Sequence, residues 1–298
     1  MTGKFSLKAV CAALALAAAG SANAGLFFMD VGTNYGGVTA GKVNATSTAV
    51  KNQMTFQYVS STIFKDQDSN LGISVGDTTT TTAGLAIPGA LVDNNQITAF
   101  TPNQNNFSNT NSNNGYQSNW LLSFGIENLT GTVTSTSLLG PEIAYNSGAV
   151  IKMYIWDTNS GAAGLNFMNI KVSGGSSGTG GTFLDGEVDF TGIADNAFKN
   201  LFNTAAPNSC GGYTGFYDLW ANCSGDPAFL KISFNGDFNT DGRDLNTTLI
   251  GFEGGKALIQ ASNIKHDGSA TFDIPEPGTL ALAGLALVGL ASARRRKA

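Results

Sequence analysis

Between Asp66 and Asp77 the chain sets oxygen-bearing side chains at alternate places: Asp66, Asp68 and Asn70, closed by Asp77 at the twelfth position. Calcium takes six to eight hard oxygen ligands at about 2.4 Å, and alternate residues of a tight loop bring their oxygens to one point. The spacing is that of an EF-hand-type loop, with the apolar Ile73 at position 8. Two positions depart from the pattern. Leu71 stands where the turn-making glycine belongs, Gly72 following one place late, and position 12 is Asp rather than Glu. A non-glycine residue held in the left-handed conformation costs roughly 1 kcal/mol. The competing reading is a solvated acidic turn held by Asx hydrogen bonds.

A second candidate is Asp237-Phe238-Asn239-Thr240-Asp241-Gly242, with ligands expected from Asp237, Asn239 and Asp241. Its glycine is correctly placed. Position 8, however, is the charged Asp244, and Thr248 stands at position 12. The alternative is a hairpin turn after a strand ending at Phe234. Calcium is the one cofactor these patterns suggest.

Little else in the chain could do chemistry. The single histidine, His266, sits beside Asp267 in a polar stretch and reads as a surface residue. No Gly-x-Ser-x-Gly elbow, phosphate loop or histidine-based metal cluster occurs. Asp185, Glu187 and Asp189 would share a strand face, a spacing that paired-carboxylate glycosidases can use but that chance also produces. The chain is therefore read as a non-enzyme. Cys210 and Cys223 should pair in an oxidising compartment, where their short loop would add roughly 3 kcal/mol of stability. A two-thiol metal site is the rival reading. Between these cysteines lie Tyr213, Phe216, Tyr217 and Trp220, which could stack on sugar rings but more often fill a core.

The elements that must hold these residues read as β. Ala149–Trp156, Asn119–Glu127, Asn166–Val172 and Phe229–Phe234 are apolar or alternating runs, separated by turns rich in Gly, Asn and Ser. Long 3.6-residue periodicity is absent. The expected fold is mainly β, an antiparallel β-sandwich or jelly-roll-like ectodomain over residues 25–274. The Asn-rich stretch 94–119 reads as a long surface loop, 173–181 as a glycine-rich turn, and Thr78–Thr82 as an exposed extended segment.

Both ends of the chain read as targeting signals. Residues 1–24 have a basic start at Lys4 and Lys8, an apolar stretch from Ala9 to Ala19, and Ala22-Asn23-Ala24 as an A-x-A cleavage site. Export by the Sec translocon and a signal peptidase cut between Ala24 and Gly25 follow. Lys8 stands where a lipobox needs a small residue, so a lipoprotein is not expected. At the other end, Pro275-Glu276-Pro277-Gly278 precedes an uncharged run carrying Leu280, Leu282, Leu285, Leu287 and Leu290, and then Arg294-Arg295-Arg296-Lys297. Fifteen residues of helix reach about 22 Å. That is short for a bilayer core of about 30 Å. Snorkelling arginines help a short span, and their charge should stay cytoplasmic.

Without the six cations of the two signals, 16 Lys and Arg become 10 against 21 Asp and Glu, a net of −11 over residues 25–293. Such a body repels nucleic acid, and it repels anionic polymers unless a divalent cation bridges them.

The three-part tail over 275–298 resembles the PEP-CTERM sorting signal of Gram-negative bacteria. That resemblance implies handling by an exosortase, a transpeptidase-like membrane enzyme of exopolysaccharide-making species, with processing near Pro275, Glu276 and Pro277 after transient inner-membrane anchoring. The body is similar to the flocculation-associated PEP-CTERM exoproteins at residues 25–32, Ser47-Thr48, the Asp66 loop, Asn113-Asn114-Gly115-Tyr116 and Asn119-Trp120-Leu121. This implies a secreted or surface matrix protein that retains exopolysaccharide in flocs or biofilm. The acidic charge separately suggests that shared calcium links the domain to anionic polymer, the alternative being sugar binding through Asn-rich and aromatic loops. A carbohydrate-binding adhesin module, an exopolysaccharide-acting enzyme and a self-assembling structural protein, the last favoured by low charge and high Gly and Asn content, are the other classes the sequence leaves open.

Overall fold

The computed structural model describes residues 25–84, 96–101, 112–138, 140–158, 164–178, 181–205, 211–223, 233–240 and 247–274. Among them the chain is mainly β, with antiparallel ladders and one short helix. The strands are β1 (Phe27–Met29), β2 (Gln53–Lys65), β3 (Thr78–Gly84), β4 (Gln96–Thr101), β5 (Trp120–Ser137), β6 (Gly140–Tyr145) and β7 (Val150–Asp157). They continue with β8 (Leu165–Gly178), β9 (Gly181–Asp189), β10 (Phe202–Thr204), β11 (Ser233–Thr240), β12 (Thr247–Glu253) and β13 (Lys256–Asp273). Helix α1 (Phe216–Cys223) lies between β10 and β11.

Among the described residues β1 and β10 pair as a separate two-stranded sheet, and the other strands form one continuous large sheet that closes on itself. From β2 it passes through β3, β5, the pair β6 and β7, then β8, β9, β11 and β13, and β13 pairs back onto β2. The β2–β13 seam matches Met54 with Ala270 at one end and Lys65 with Leu258 at the other. Long strands make the closure possible. β5 and β8 each carry β7 along one part of an edge and β6 along another. Only β4 and β12 hang from the ring, on β2 and β13.

Alternation along β2 shows how the interior is filled. Met54, Phe56, Tyr58, Ser60, Thr62 and Phe64 all point inward and are buried, as a period of two requires. The first three join a large apolar cluster, and Phe64 joins a smaller one with Val133, Ile143, Ile259 and Ile264. Between them β2 contributes Ser60 and Thr62. Thr62 meets the Thr81 hydroxyl at 2.8 Å, and Ser60 Oγ lies 2.7 Å from His266 Nε2. The pairing of these hydroxyls offsets the cost of burying them.

His266 is thus an interior residue, which corrects the surface reading. It faces Tyr58 across the β2–β13 seam with ring centroids 4.4 Å apart. Residues 94–119 also differ from the expected loop. Gln96–Thr101 forms β4, and Ser112 and Asn114 are buried. Asn114 Nδ2 donates to the carbonyls of Thr33 and Thr46, and its Oδ1 accepts from Tyr35 N and Lys42 Nζ. Local polarity hid this role. The glycine-rich stretch after Val172 stays extended to Gly178, with a register shift between Val172 and Gly174. Small residues there let the backbones approach: a Cβ on Gly175 would lie 2.2 Å from the Phe183 carbonyl oxygen.

Candidate functional site

The Asp66–Asp77 segment is the hairpin connection between β2 and β3, since Lys65 pairs with Thr78 directly below it. It closes the end of the barrel over the smaller apolar cluster, against which Ile73 packs. Its backbone is tied to two further strands. Asp66 N donates to Ala257 O at 2.9 Å, and Gly76 N to Val133 O at 2.9 Å. Lys256 Nζ donates to the Gln67 carbonyl.

Within this frame one carboxylate oxygen from each of Asp66, Asp68 and Asp77 lies within 4.8 Å of the others. Two oxygens on one calcium ion are separated by at most twice the ligand distance, about 4.8 Å. Asp66 and Asp77 are fully buried, and Asp68 is exposed. Two carboxylates thus form the floor of the site and one its open side.

Hydrogen bonds fix each group. Asp66 Oδ1 accepts from Ser69 N at 2.7 Å and Asp68 N at 3.1 Å, and Oδ2 from Leu71 N at 2.8 Å. Asp77 Oδ1 accepts from Gln67 N and Oδ2 from Ser74 N, both at 2.8 Å. Burial alone would push the Asp66 pKa up. Backbone N–H bonds, led by that from Leu71 and joined by those from Ser69 and Asn70, outweigh it and hold the carboxyl below its ordinary value. Asn70 supports Asp68, its Nδ2 donating to Asp68 Oδ2 at 2.9 Å. Sequence reasoning missed Ser74, whose hydroxyl reaches Asp68 Oδ2 at 3.1 Å and Asp77 Oδ2 at 3.3 Å. It also missed Lys256, which only the register of β13 brings to the loop.

The turn is made where the sequence lacks its glycine. Leu71 has φ 63° and Ser69 φ 64°, both left-handed. The Leu71 side chain is 63% exposed, so no packing offsets this strain.

The second acidic candidate has a different backbone. Asp237 and Asn239 lie within β11, where Asp237 pairs with Phe183 on one side and Ser269 on the other, and Asn239 with Asp267. An extended strand spaces residues i and i+2 nearly 7 Å apart. It does not wrap these two residues around one ion. Asp241 lies outside the described residues.

The aromatic loop resolves largely toward the core. Phe216 is fully buried and meets Phe272 edge-on at 5.2 Å. Tyr217 and Trp220 pack around Phe190, and Lys199 Nζ lies 4.4 Å from the Tyr217 ring centre. Cys223 is fully buried. Cys210 lies outside the described residues.

Gly25 N donates to Phe272 O at 2.5 Å, which sets the start of the expected mature chain beside the end of β13. Ala24, the tail residues Pro275, Glu276, Pro277, Leu280, Leu282, Leu285, Leu287 and Leu290, and Arg294, Arg295 and Arg296 lie outside the described residues. Among the described residues, no helix is long and apolar enough to cross a membrane.

Comparison with known proteins adds one match. Residues 273–297 fit the family model of the PEP-CTERM protein-sorting motif. The match begins on Asp273, the last residue of β13. It marks an exported protein of Gram-negative type, at the cell surface or secreted, whose processing partner is an exosortase. No curated protein and no solved structure matches the chain.

Proposed function

We propose that this chain, sorted through the PEP-CTERM motif at residues 273–297, is an extracellular matrix protein that promotes floc or biofilm formation by retaining exopolysaccharide. In this reading residues 1–24 are removed as a signal peptide and 25–274 form the extracellular domain. The apolar run before Arg294 anchors the precursor in the inner membrane until exosortase acts, and Cys210 pairs with Cys223. The domain binds and does not catalyse.

Calcium at Asp66, Asp68 and Asp77 supplies the link to an anionic polymer. The observation that carries this step is the convergence of three carboxylates within 4.8 Å, two buried and one open to solvent. A body of net charge −11 would otherwise repel such a polymer.

The test is settling of a strain lacking the gene, complemented with wild type, with a tail deletion, or with Asp66→Asn/Asp77→Asn. Restoration by wild type alone, reversed by a chelator, is the expected result. Normal flocculation of the null strain would sink the matrix reading, and chelator-resistant flocs would sink the calcium link.

A second reading, a carbohydrate-binding module, draws on Tyr217 and Trp220. They are half-buried and stacked with centroids 6.1 Å apart. Glycan-array binding lost in Trp220→Ala would favour it.

A further inference from the structure

The two ends of the expected mature domain meet at one pole of the barrel. Leu26 O accepts from Ala205 N at 2.8 Å, Phe27 N donates to Lys51 O at 2.8 Å, and Gly25 N reaches Phe272 O. Phe27 and Phe272 meet edge-on at 5.6 Å, and both are fully buried. The sorting motif starts one residue after Phe272. Two residues, Asp273 and Ile274, separate this immobilised ring from Pro275, three steps of chain that reach at most about 10 Å when extended. The enzyme that acts on the tail therefore works against the folded pole itself.

Residue 25 at that pole leaves no room for a side chain unless Ile274 moves. A Cβ there would lie 2.5 Å from Ile274 Cγ1 and 2.6 Å from Ile274 Cβ. Ile274 belongs to the matched motif and packs against the large core cluster. Any side chain at position 25 pushes Ile274 off its seat and loosens the last turn of backbone before Pro275.

We propose that Gly25 is a positioning residue for processing of the sorting tail: docked against Phe272 and Ile274, it holds the strand end from which the tail leaves for the membrane enzyme. This rests on the reading above that the mature chain starts at Gly25 and that the tail is processed. It adds that the product of the first cut shapes the substrate of the second. A consequence is that both membrane-directed segments leave from the same pole, so the domain can fold while either end is still anchored.

The test follows the full-length chain by pulse-labelling in its own exporting cell. N-terminal sequencing reads the first cut, and intact mass reads the tail. In Gly25→Val the mature chain should still start at residue 25, while tail removal slows several-fold. Gly25→Ala, with a single methyl against Ile274, is the milder variant should valine prevent folding. A four-residue Gly/Ser spacer between Ile274 and Pro275 separates positioning from general damage. With the spacer, tail removal should be equally slow whether residue 25 is Gly or Val.

Equal rates for wild type and Gly25→Val overturn the proposal alone, as does a Gly25→Val deficit that persists unchanged in the spacer background. A mature chain beginning at another residue, or a tail retained in wild type, removes the premise and the proposal together.

Discussion

Lys51 Nζ donates to Asn113 Oδ1 across 2.7 Å, joining a fully buried ammonium to an amide 62 residues away. No ion pair reaches Lys51 among the described residues. Burial lowers its pKa to about 8. The fold therefore disfavours the charged form. The penalty is complete below about pH 8 and fades as pH rises toward the unfolded value of about 10.4.

Stability should accordingly rise between those two pH values in the wild type, and Lys51→Met should remove the rise. At neutral pH the variant should be the more stable protein, because Asn113 is only half-buried and can turn to water. Thermal denaturation as a function of pH checks this. A variant less stable than wild type at pH 7 would show that the amide bond outweighs the burial cost.

Calcium should raise the melting temperature of the wild type, by mass action on the folded state. Asp77→Asn should abolish the shift while keeping two of the three carboxylates. Asp66→Asn has a second signature. The Asp66 pKa is held low in the fold, so its ionised form contributes stability above the ordinary carboxylate pKa of about 3.9, lost as pH falls below it. In the variant, stability should fall less steeply in acid. Calorimetry with and without calcium reads both effects.

Leu71→Gly should not destabilise the loop. Relief of a left-handed leucine is worth roughly 1 kcal/mol, offset in part by the greater freedom of glycine in the unfolded chain. The net expected change is a gain of up to about 1 kcal/mol by chemical denaturation, with tighter calcium binding. A loss would mean that the exposed leucine has contacts beyond the domain.

His266→Ala should cost about 2–4 kcal/mol, from the cavity against Tyr58 and from a buried Ser60 hydroxyl left without its ring partner. Urea denaturation measures it. A cost under about 0.5 kcal/mol, the range of surface substitutions, would return His266 to the surface reading.

Much of the fold was legible in period-two alternation, because half-buried strands must alternate. Ala149–Trp156 and Asn166–Val172 read as strands and lie on β7 and β8. The convergence of Asp66, Asp68 and Asp77 depends on spacing within one twelve-residue connection, which is local information. What failed was long-range. His266 looked exposed because its neighbours in sequence are polar, and only the strand across the seam makes its site interior. Asn114 looked like loop filler because its four partners come from residues 33–46. At Asp237 and Asn239 local spacing suggested a loop, whereas pairing on both edges places these two residues in β11.

The seam between β2 and β13 joins residues about 200 positions apart, as in the 2.6 Å bond from Gln53 Nε2 to Ser269 Oγ. A contact so distant in sequence is among the slowest to form. Under the proposed export N-terminus first, β2 would wait, with one edge bare, until β13 has crossed. An exposed edge of this length invites pairing with other chains. The hoop can lock only once the chain is available up to the sorting motif, since the match begins where β13 ends. Completion of the barrel and arrival of the tail are thus nearly one event, so a chain cut short before its last strand would lack its clasp as well as its address.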